Sequence, residues 1–234
     1  MPNPNAIRPL SEQPLMTEGL VGDVPVGYIV LQKDEKKTLQ FLAKIFSKLS
    51  FDLVLEVPEG AELMLEGAFE LAPGADVEQL VMIRGAGKVT LRQVANVERD
   101  ARLMKRIVID GRDGAVCIID DATYLRGPCA KAEMVCRGVL RDAARSTVRG
   151  RIVIERGASG ASADMQLHHL LLGERAYAAA VPELSVHVDD VTCRHAASIT
   201  RPNDAALAYL ASRGLASDAA SDMLAEAFLC PVVV

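Results

Sequence analysis

From Phe51 to Thr200 the chain is a succession of short β-type segments with almost no helical pattern between them. Gly, Pro, Asp and Asn bound these segments, and such residues supply tight turns. A βαβ sheet is disfavoured, because it needs a helical pattern after each strand. A sandwich, a barrel and a β-helix remain as possible folds. The segments read FDLVLEV, ELMLEG, QLVMIRG, KVTLRQV, KRIVID, AVCIID, STVRGRIVIE, MQLHHLLL and ELSVHVDD.

Two features of these segments favour a stacked coil. Many are apolar on both faces over three or four positions, as in 106–110 and 115–120, and Gly-rich corners such as 85–87 and 157–160 are frequent. Quasi-repeats of about 20 residues or more would give roughly seven or eight coils, although the repeats are too blurred to prove this. Aromatic residues make up 4% of the chain and Trp is absent, so the core must be aliphatic.

The pattern differs on both sides of the β region. Residues 1–24 carry four prolines and predict an extended arm, and 34–49 have apolar residues at helical spacing and predict an amphipathic helix. After Thr200, Asn203 is a suitable N-cap and Gly214 a suitable helix end, so two short helices are predicted. The predicted divisions are an arm with a helix (1–50), a β core (51–200) and a helical segment (201–234).

Charge and motif content exclude several classes of function. The net charge is −5 and there is no basic patch with interleaved aromatics, so nucleic acid is a poor partner. No apolar run approaches the ~20 residues of a membrane span, and the N-terminus does not resemble a signal peptide. Five cysteines without a CxxC pair indicate reduced thiols, and we expect a soluble cytoplasmic protein. No phosphate-binding loop is present, so the chain is not expected to hydrolyse ATP.

The sharpest set of candidate ligands lies near the end of the β region. If 181–195 form one strand, alternation places His187, Asp189, Cys193 and His195 on one face. Cys193 and His195 would lie about 7 Å apart, and a thiolate and an imidazole can both bind a metal. From the residues alone, a buried cysteine and a histidine that hydrogen-bonds a neighbour remain the alternative.

Two pairs of adjacent polar residues lie in the same half of the chain. His168 and His169 are adjacent, so on a strand they point to opposite faces and cannot chelate one metal together. One of them could lie near His195, but ordinary surface histidines are the simpler interpretation. The paired acids Asp189 and Asp190 also point in opposite directions, which favours turn chemistry at the end of a strand.

Several motifs in the C-terminal half together resemble the SufBD family, the scaffold proteins of SUF iron–sulfur cluster assembly. The resemblance extends over about 136–229 and implies an all-β fold with a helical C-terminus, in which a right-handed parallel β-helix is flanked by short α-helices. The motifs are Gly138-Val-Leu-Arg-Asp142, Ser146-Thr-Val-Arg-Gly150, Leu170-Leu-Leu172, Pro182-Glu-Leu184, Asp189-Asp-Val191, Cys193-Arg-His-Ala-Ala197 and Tyr209-Leu-Ala-Ser-Arg-Gly-Leu215.

The resemblance implies a non-enzymatic scaffold in a SUF-type complex. His195 and Cys193 would bind iron or a transient Fe–S cluster near a subunit interface, which forms with a second copy or a SufB-like chain. The sequence is D-like, because Leu167 and Ala196 stand where B-type members have a cysteine and a glutamate. The C-terminal helices would bind a SufC-like ABC ATPase, and the expected contact residues are Tyr209, Arg213, Leu215, Met223 and Phe228.

Two other functions stay open. The missing cysteine and glutamate favour a D-like interaction protein that binds the ATPase but carries no cluster. A β-helical carbohydrate-active enzyme is a more distant alternative, because such enzymes use clustered carboxylates and aromatic platforms. With four Tyr, five Phe and no Trp, the chain is poorly equipped for sugar binding.

Overall fold

The strands stack as the coils of a parallel β-helix of about six turns. The computed structural model describes residues 26–233, and the predicted arm over 1–24 lies outside the described residues. Successive strands alternate between two sheets, and all pairings are parallel. The seven-stranded sheet contains β1 (Val26–Val30), β3 (Lys48–Val57), β5 (Asp76–Gly85), β7 (Arg102–Gly111), β9 (Lys131–Leu140), β11 (Ser162–Leu171) and β13 (Thr192–Thr200). The six-stranded sheet contains β2 (Lys36–Ile45), β4 (Glu62–Leu71), β6 (Lys88–Val97), β8 (Val116–Leu125), β10 (Arg145–Ile154) and β12 (Tyr177–Val186).

The coil confirms the fold that the family resemblance implied, but its turns are larger and fewer than predicted. Lys36 and Glu62, neighbours on adjacent coils, are 26 residues apart, and Arg151 and Glu183 are 32 apart. Each coil contains two ten-residue strands and two corners, rather than the shorter repeat that the prediction assumed.

The predicted helix over 34–49 is wrong. This segment forms β2 and the beginning of β3, so the coil already includes residues that the sequence assigned to an N-terminal helical region. Strand β2 pairs with β4 along its whole length, from Lys36 opposite Glu62 to Ile45 opposite Leu71. Leu39, Phe41 and Ala43 pack against the coil interior. The apolar residues at every second position therefore form the inward face of a strand.

The core fills the space between the two sheets. Alternate residues of each strand point inward, and those of β7 include Leu103, Ile107 and Ile109, which are at most 1% exposed. The interior is mainly Val, Ile, Leu, Met and Ala, as the composition predicted. Two helices follow the last strand: α1 (Asp204–Ser212) and α2 (Ser217–Val233). The Asn203 side chain accepts a hydrogen bond from the Ala205 N–H at 2.8 Å, which confirms the predicted N-cap.

Candidate functional site

Cys193 and His195 lie on one face of β13, as alternation predicted. Strand β13 pairs with β11 in a register that places Cys193 opposite Ala163 and His195 opposite Met165. Ala163 and Met165 are buried in the coil interior, so Cys193 and His195 continue an inward-facing row. Among the described residues no further coil covers this row. His195 is therefore exposed and Cys193 is half-buried.

The opposite side of this opening is formed by β12. Leu184 and Val186 are paired in register with the buried residues Ile152 and Ile154 of β10, so they belong to the inward row of the six-stranded sheet. Val186 is 41% exposed, and Ile199 on β13 is 45% exposed. We call this surface the C-terminal end face, which comprises Cys193, His195, Ile199, Leu184 and Val186. It is an apolar surface with one thiol and one imidazole.

The prediction that His187 and Asp189 share a strand face with Cys193 is wrong. Strand β12 ends at Val186 and β13 begins at Thr192, so both residues lie in the corner between the strands. The predicted turn chemistry is confirmed for Asp190. Its carboxylate accepts a hydrogen bond from the Ser159 hydroxyl, and its carbonyl accepts one from the Gly160 N–H at 3.0 Å.

His168 and His169 point to opposite faces of β11, as predicted. His168 faces outward and lies 2.7 Å from the Ser198 hydroxyl on β13. Burial, and to a lesser degree the nearby Arg137 guanidinium, lowers the pKa of His168. His168 is half-buried, and its hydrogen bond ties the last strand of the sheet to the preceding one.

His169 is not a surface residue, which corrects the sequence interpretation. It is fully buried, and its Nε2 lies 3.2 Å from the Ser146 hydroxyl across the coil. Burial lowers its pKa to about 4, with a smaller effect from His168. A Cβ at Gly138 would stand 2.6 Å from the His169 ring, so the glycine makes room for it. His195 pairs with Met165, and His169 lies four positions further along β11. The backbone distance between Met165 and His169 is about 13 Å, so the two imidazoles are well separated.

The donor set at the C-terminal end face is incomplete within one chain. In the described part of the chain, no three His, Cys, Asp or Glu residues come together closely enough to hold a metal ion. Burial raises the pKa of the Cys117 thiol to about 12 and also raises that of Cys136, so these two thiols stay protonated and inert. Leu167 is fully buried between Cys136 and Ala197 in the sheet register. Cys193 and His195 remain as the two candidate donors.

Helix α2 is anchored on the outer face of the seven-stranded sheet. Ala225, Phe228 and Leu229 pack on Val139 of β9 and Leu170 of β11. The Arg137 guanidinium donates a hydrogen bond to the Phe228 carbonyl at 2.6 Å and lies 5.3 Å from the centre of the Phe228 ring.

An ion pair adds a second attachment for α2. Arg141 Nη1 and Asp222 Oδ1 are 2.9 Å apart. Phe228, one of the predicted partner contacts, therefore also packs against the chain's own sheet.

Three of the other four predicted partner contacts are exposed. Tyr209 is 58% exposed and Met223 is 47% exposed. The exposed Arg213 guanidinium lies 5.2 Å from the Tyr209 ring centre, and Leu215 is half-buried. Gly214 has φ +86°, the left-handed conformation expected of the residue that ends a helix. Tyr209, Arg213 and Met223 therefore belong to an exposed surface of the helical segment.

The chain is similar to a known protein family over most of its length. The family described as "SUF system FeS cluster assembly, SufBD core domain" matches residues 73–228, which is more than half of the chain. The chain belongs to the SufBD family. It is D-like: it is 39% identical over 107 residues to the Bacillus subtilis iron–sulfur cluster assembly protein SufD. That alignment covers 46% of this chain and 24% of the relative.

Two more relatives are also SufBD family proteins. A SufBD family protein of Archaeoglobus fulgidus is 25% identical over 81% of this chain and 51% of its own length. The Escherichia coli protein SufD is 30% identical over 47% of this chain and 27% of its own length. This SufBD chain thus spans between about a quarter and a half of the length of these relatives.

No helix between residues 26 and 233 is long and apolar enough to cross a membrane.

Proposed function

We propose that this SufBD chain is a non-enzymatic scaffold component of a SUF-type iron–sulfur cluster assembly complex. It pairs through the C-terminal end face and binds a SufC-like ABC ATPase through its helical segment. The observation that carries the proposal is the SufBD core match over 73–228, together with an uncovered coil end that displays Cys193 and His195.

The C-terminal end face is suited to pairing. It joins an apolar surface to the free edge of β13, and both gain from contact with a second chain. A twofold pairing would bring two copies of Cys193 and His195 together. Four ligands from thiols and imidazoles are the usual set for an Fe–S cluster. The cluster is the cargo of this scaffold, and a SufB-like chain could supply the second half of the site.

The helical segment is suited to an ATPase because it is fixed on one side and exposed on the other. Phe228 and Asp222 hold α2 on the sheet through Arg137 and Arg141, while Met223 remains exposed. A partner that moves α2 would therefore pull on the outer face of β9. This arrangement could transmit movement driven by ATP to the coil.

A cluster-free role is the second candidate. Leu167 fills its position in the core with an aliphatic side chain and is completely buried, so no thiol can act there. In this role the chain binds the ATPase and a SufB-like partner and holds no iron itself.

Anaerobic reconstitution with iron and sulfide tests the cluster role. We expect visible charge-transfer absorbance, iron and sulfide bound in proportion, and a homodimer by light scattering. His195→Ala and Cys193→Ala should abolish the colour, whereas Cys129→Ala, which removes an exposed thiol in a corner, should leave it unchanged. No colour with or without a SufB-like chain would leave the cluster-free role.

Co-purification from the native cell tests the ATPase role. We expect an ABC ATPase to be captured by the tagged chain and to be lost with a Tyr209→Ala, Met223→Ala double variant. Tyr177→Ala is the matched control, since Tyr177 is 53% exposed on β12 and lies outside the helical segment. Recovery of the chain without any ATPase would contradict this part of the proposal.

A further inference from the structure

Strand β13, which carries Cys193 and His195, lies at the edge of its sheet. It pairs with β11 on one side, and no described strand pairs with it on the other. Backbone hydrogen bonds therefore hold this strand from one side only. A slip of one residue would turn Cys193 and His195 to the outer face of the sheet, because side chains alternate along a strand. The C-terminal end face thus depends on what fixes the register of β13.

Burial contributes little to this register, because none of the nine residues of β13 is buried. In a strand with one buried face, a slip of one residue moves apolar side chains into water, and that cost specifies the pairing. In β13 such a slip would replace Ala197 by Ala196 on the inward row, with no change of side chain. The side-chain contacts of β13 therefore carry most of the information about its register.

Two side-chain pairs join β13 to β11 on the outer face of the sheet. Arg194 stands opposite Asp164, and its Nη2 donates a hydrogen bond to the Asp164 Oδ2 at 2.6 Å. Ser198 stands opposite His168, and its hydroxyl lies 2.7 Å from the His168 Nδ1. The first pair is charge-assisted, which is the stronger kind of hydrogen bond. Both pairs join residues directly opposite in the register, so a slip of one residue would break both, and along the strand they flank His195.

The β11 members of both pairs are fixed within the sheet. The Asp164 side chain is 17% exposed, and its carboxylate also accepts a hydrogen bond from the Gln166 amide at 3.1 Å. Burial opposes the ionisation of Asp164, but the hydrogen bonds from Arg194 and Gln166 outweigh it and lower the pKa, so the group is a carboxylate at neutral pH. The His168 ring is half-buried. Each pair therefore joins a group held by the inner strand to a side chain of the edge strand.

We propose that Asp164 and His168 are positioning residues, which fix β13 in the register that turns Cys193 and His195 toward the end of the coil. Their side chains lie on the outer face, on the other side of the sheet from the two donors, so they act through the strand and not by contact. Their importance for metal binding rests on the proposed function, whereas their effect on the register of β13 does not.

Alkylation of the reduced full-length chain with N-ethylmaleimide tests the register without any metal. Peptide mass spectrometry should show Cys193 modified about five-fold faster in Asp164→Ala and in His168→Ala, the effect of one hydrogen bond. The exposed Cys129 should react at one rate in all proteins, and the buried Cys136 should stay unmodified, because the coil remains folded. Modification of Cys136 in these variants would overturn the proposal, since the whole coil would then have opened.

Three further variants separate the two pairs from a general effect on the sheet. Glu133→Ala is the matched control, since Glu133 stands opposite Asp164 on the side away from β13, and it should leave the rate at Cys193 unchanged. Asp164→Asn and His168→Asn keep a hydrogen-bonding group for Arg194 and Ser198 and should recover most of the slow rate. Equal acceleration by Glu133→Ala, or no acceleration by either alanine variant, would contradict the proposal.

Titration with Co²⁺ connects the register to the donors. Co²⁺ gives a charge-transfer band when it binds a thiolate, and its apparent affinity falls with the fraction of chains in which both donors are in place. We expect about five-fold weaker Co²⁺ binding in Asp164→Ala and no change in Glu133→Ala. Unchanged Co²⁺ binding despite fast alkylation of Cys193 would rule out a positioning role. An unmodified chain that binds no Co²⁺ would contradict the proposed function, while the alkylation rates would still decide the role of the two pairs in β13.

Discussion

An ion pair lies inside the β-helix between side chains of opposite sheets. Lys105 on β7 and Asp121 on β8 are 1% and 2% exposed, and the ammonium also lies 3.4 Å from the Thr123 hydroxyl and 5.9 Å from the Phe69 ring centre. Strand alternation in the sequence assigns Lys105 to one face of its strand. It does not show whether that face meets solvent or the interior. Only the coil shows that the charge is internal and where its counterion lies.

Lys105→Met should therefore destabilise the chain strongly. It leaves the Asp121 carboxylate buried without its counterion, which costs about 3–5 kcal/mol in the free energy of unfolding. The double variant Lys105→Met, Asp121→Leu should recover most of this loss, because no charge then remains buried. Urea unfolding measures both. A double variant as unstable as the single one would show that the ion pair itself, rather than the orphaned charge, governs stability.

His169 should make the stability depend on pH. Its pKa is about 4 in the folded chain against an ordinary 6.5, so between these values the unfolded chain binds more protons and stability falls as the pH falls. The resulting loss in the free energy of unfolding is about 3 kcal/mol and is reached near pH 4.

A His169→Gln variant supplies the comparison for this effect. Urea unfolding at pH 7.5 and pH 4 should show the unmodified chain losing about 3 kcal/mol relative to the variant. Parallel losses in both proteins would contradict the pKa shift.

At the scale of elements, the corners carry a repeat that the sequence analysis missed. Corner after corner ends in a buried alanine whose N–H donates to the carbonyl three residues earlier, as in Ala75 to Ala72 and Ala101 to Glu98. The residue before that alanine has positive φ at Gly74 and Asp100, a conformation that Gly and Asp tolerate best. Gly or Asp directly precedes this alanine at Ala61, Ala75 and Ala101, whereas Cys129, Ala143 and Arg175 precede Ala130, Ala144 and Ala176. The alanine recurs at uneven spacing, which explains why a search for one fixed period fails.

The segment over 34–49 shows why strand and helix patterns can be confused. Leu39, Leu42, Ile45 and Leu49 satisfy a helical period, while Leu39, Phe41, Ala43 and Ile45 satisfy a strand period. Pairing with β4 decides between them, and no local preference contains that information. By contrast, the Asn203 cap and the Gly214 helix end follow from local chemistry, and both are confirmed.

Arg137→Ala should release α2 from the coil. The substitution removes a hydrogen bond from a charged donor and the contact with the Phe228 ring, so we expect about ten-fold faster hydrogen exchange over 217–233. Exchange in β9 should change little. Arg194→Ala is the control, since Arg194 pairs with Asp164 on the same sheet and is 75% exposed. Equal effects of the two variants would rule out Arg137 as the anchor of α2.

At the scale of the molecule, the family resemblance predicted the stacked coil, while its size came only from the structure. The predicted seven or eight coils assumed a short repeat, whereas each observed coil advances by 26 to 32 residues. The C-terminal end face was predicted in part, because alternation placed Cys193 and His195 together. Its apolar half could not be foreseen, since Leu184 and Val186 reach it through pairing with β10.

Stability should vary along the axis of the coil. Each coil contacts only its neighbours, so the strands at the two ends are held from one side and those in the middle from both. Hydrogen exchange should therefore be slowest in β6 to β9 and fastest in β1, β2, β12 and β13. Mass spectrometry of exchanged peptides measures this gradient. Uniform protection along the axis would show that the coil opens as one cooperative unit.

The two ends of the stack are unlike, and this polarity limits how copies of the chain can join. Joining unlike ends would propagate into an open filament, whereas joining like ends stops at two. Pro182 lies on the edge strand β12 and has no N–H to offer an incoming strand. Backbone addition at that edge is therefore interrupted, and β13 is left as the better seam for a closed pair.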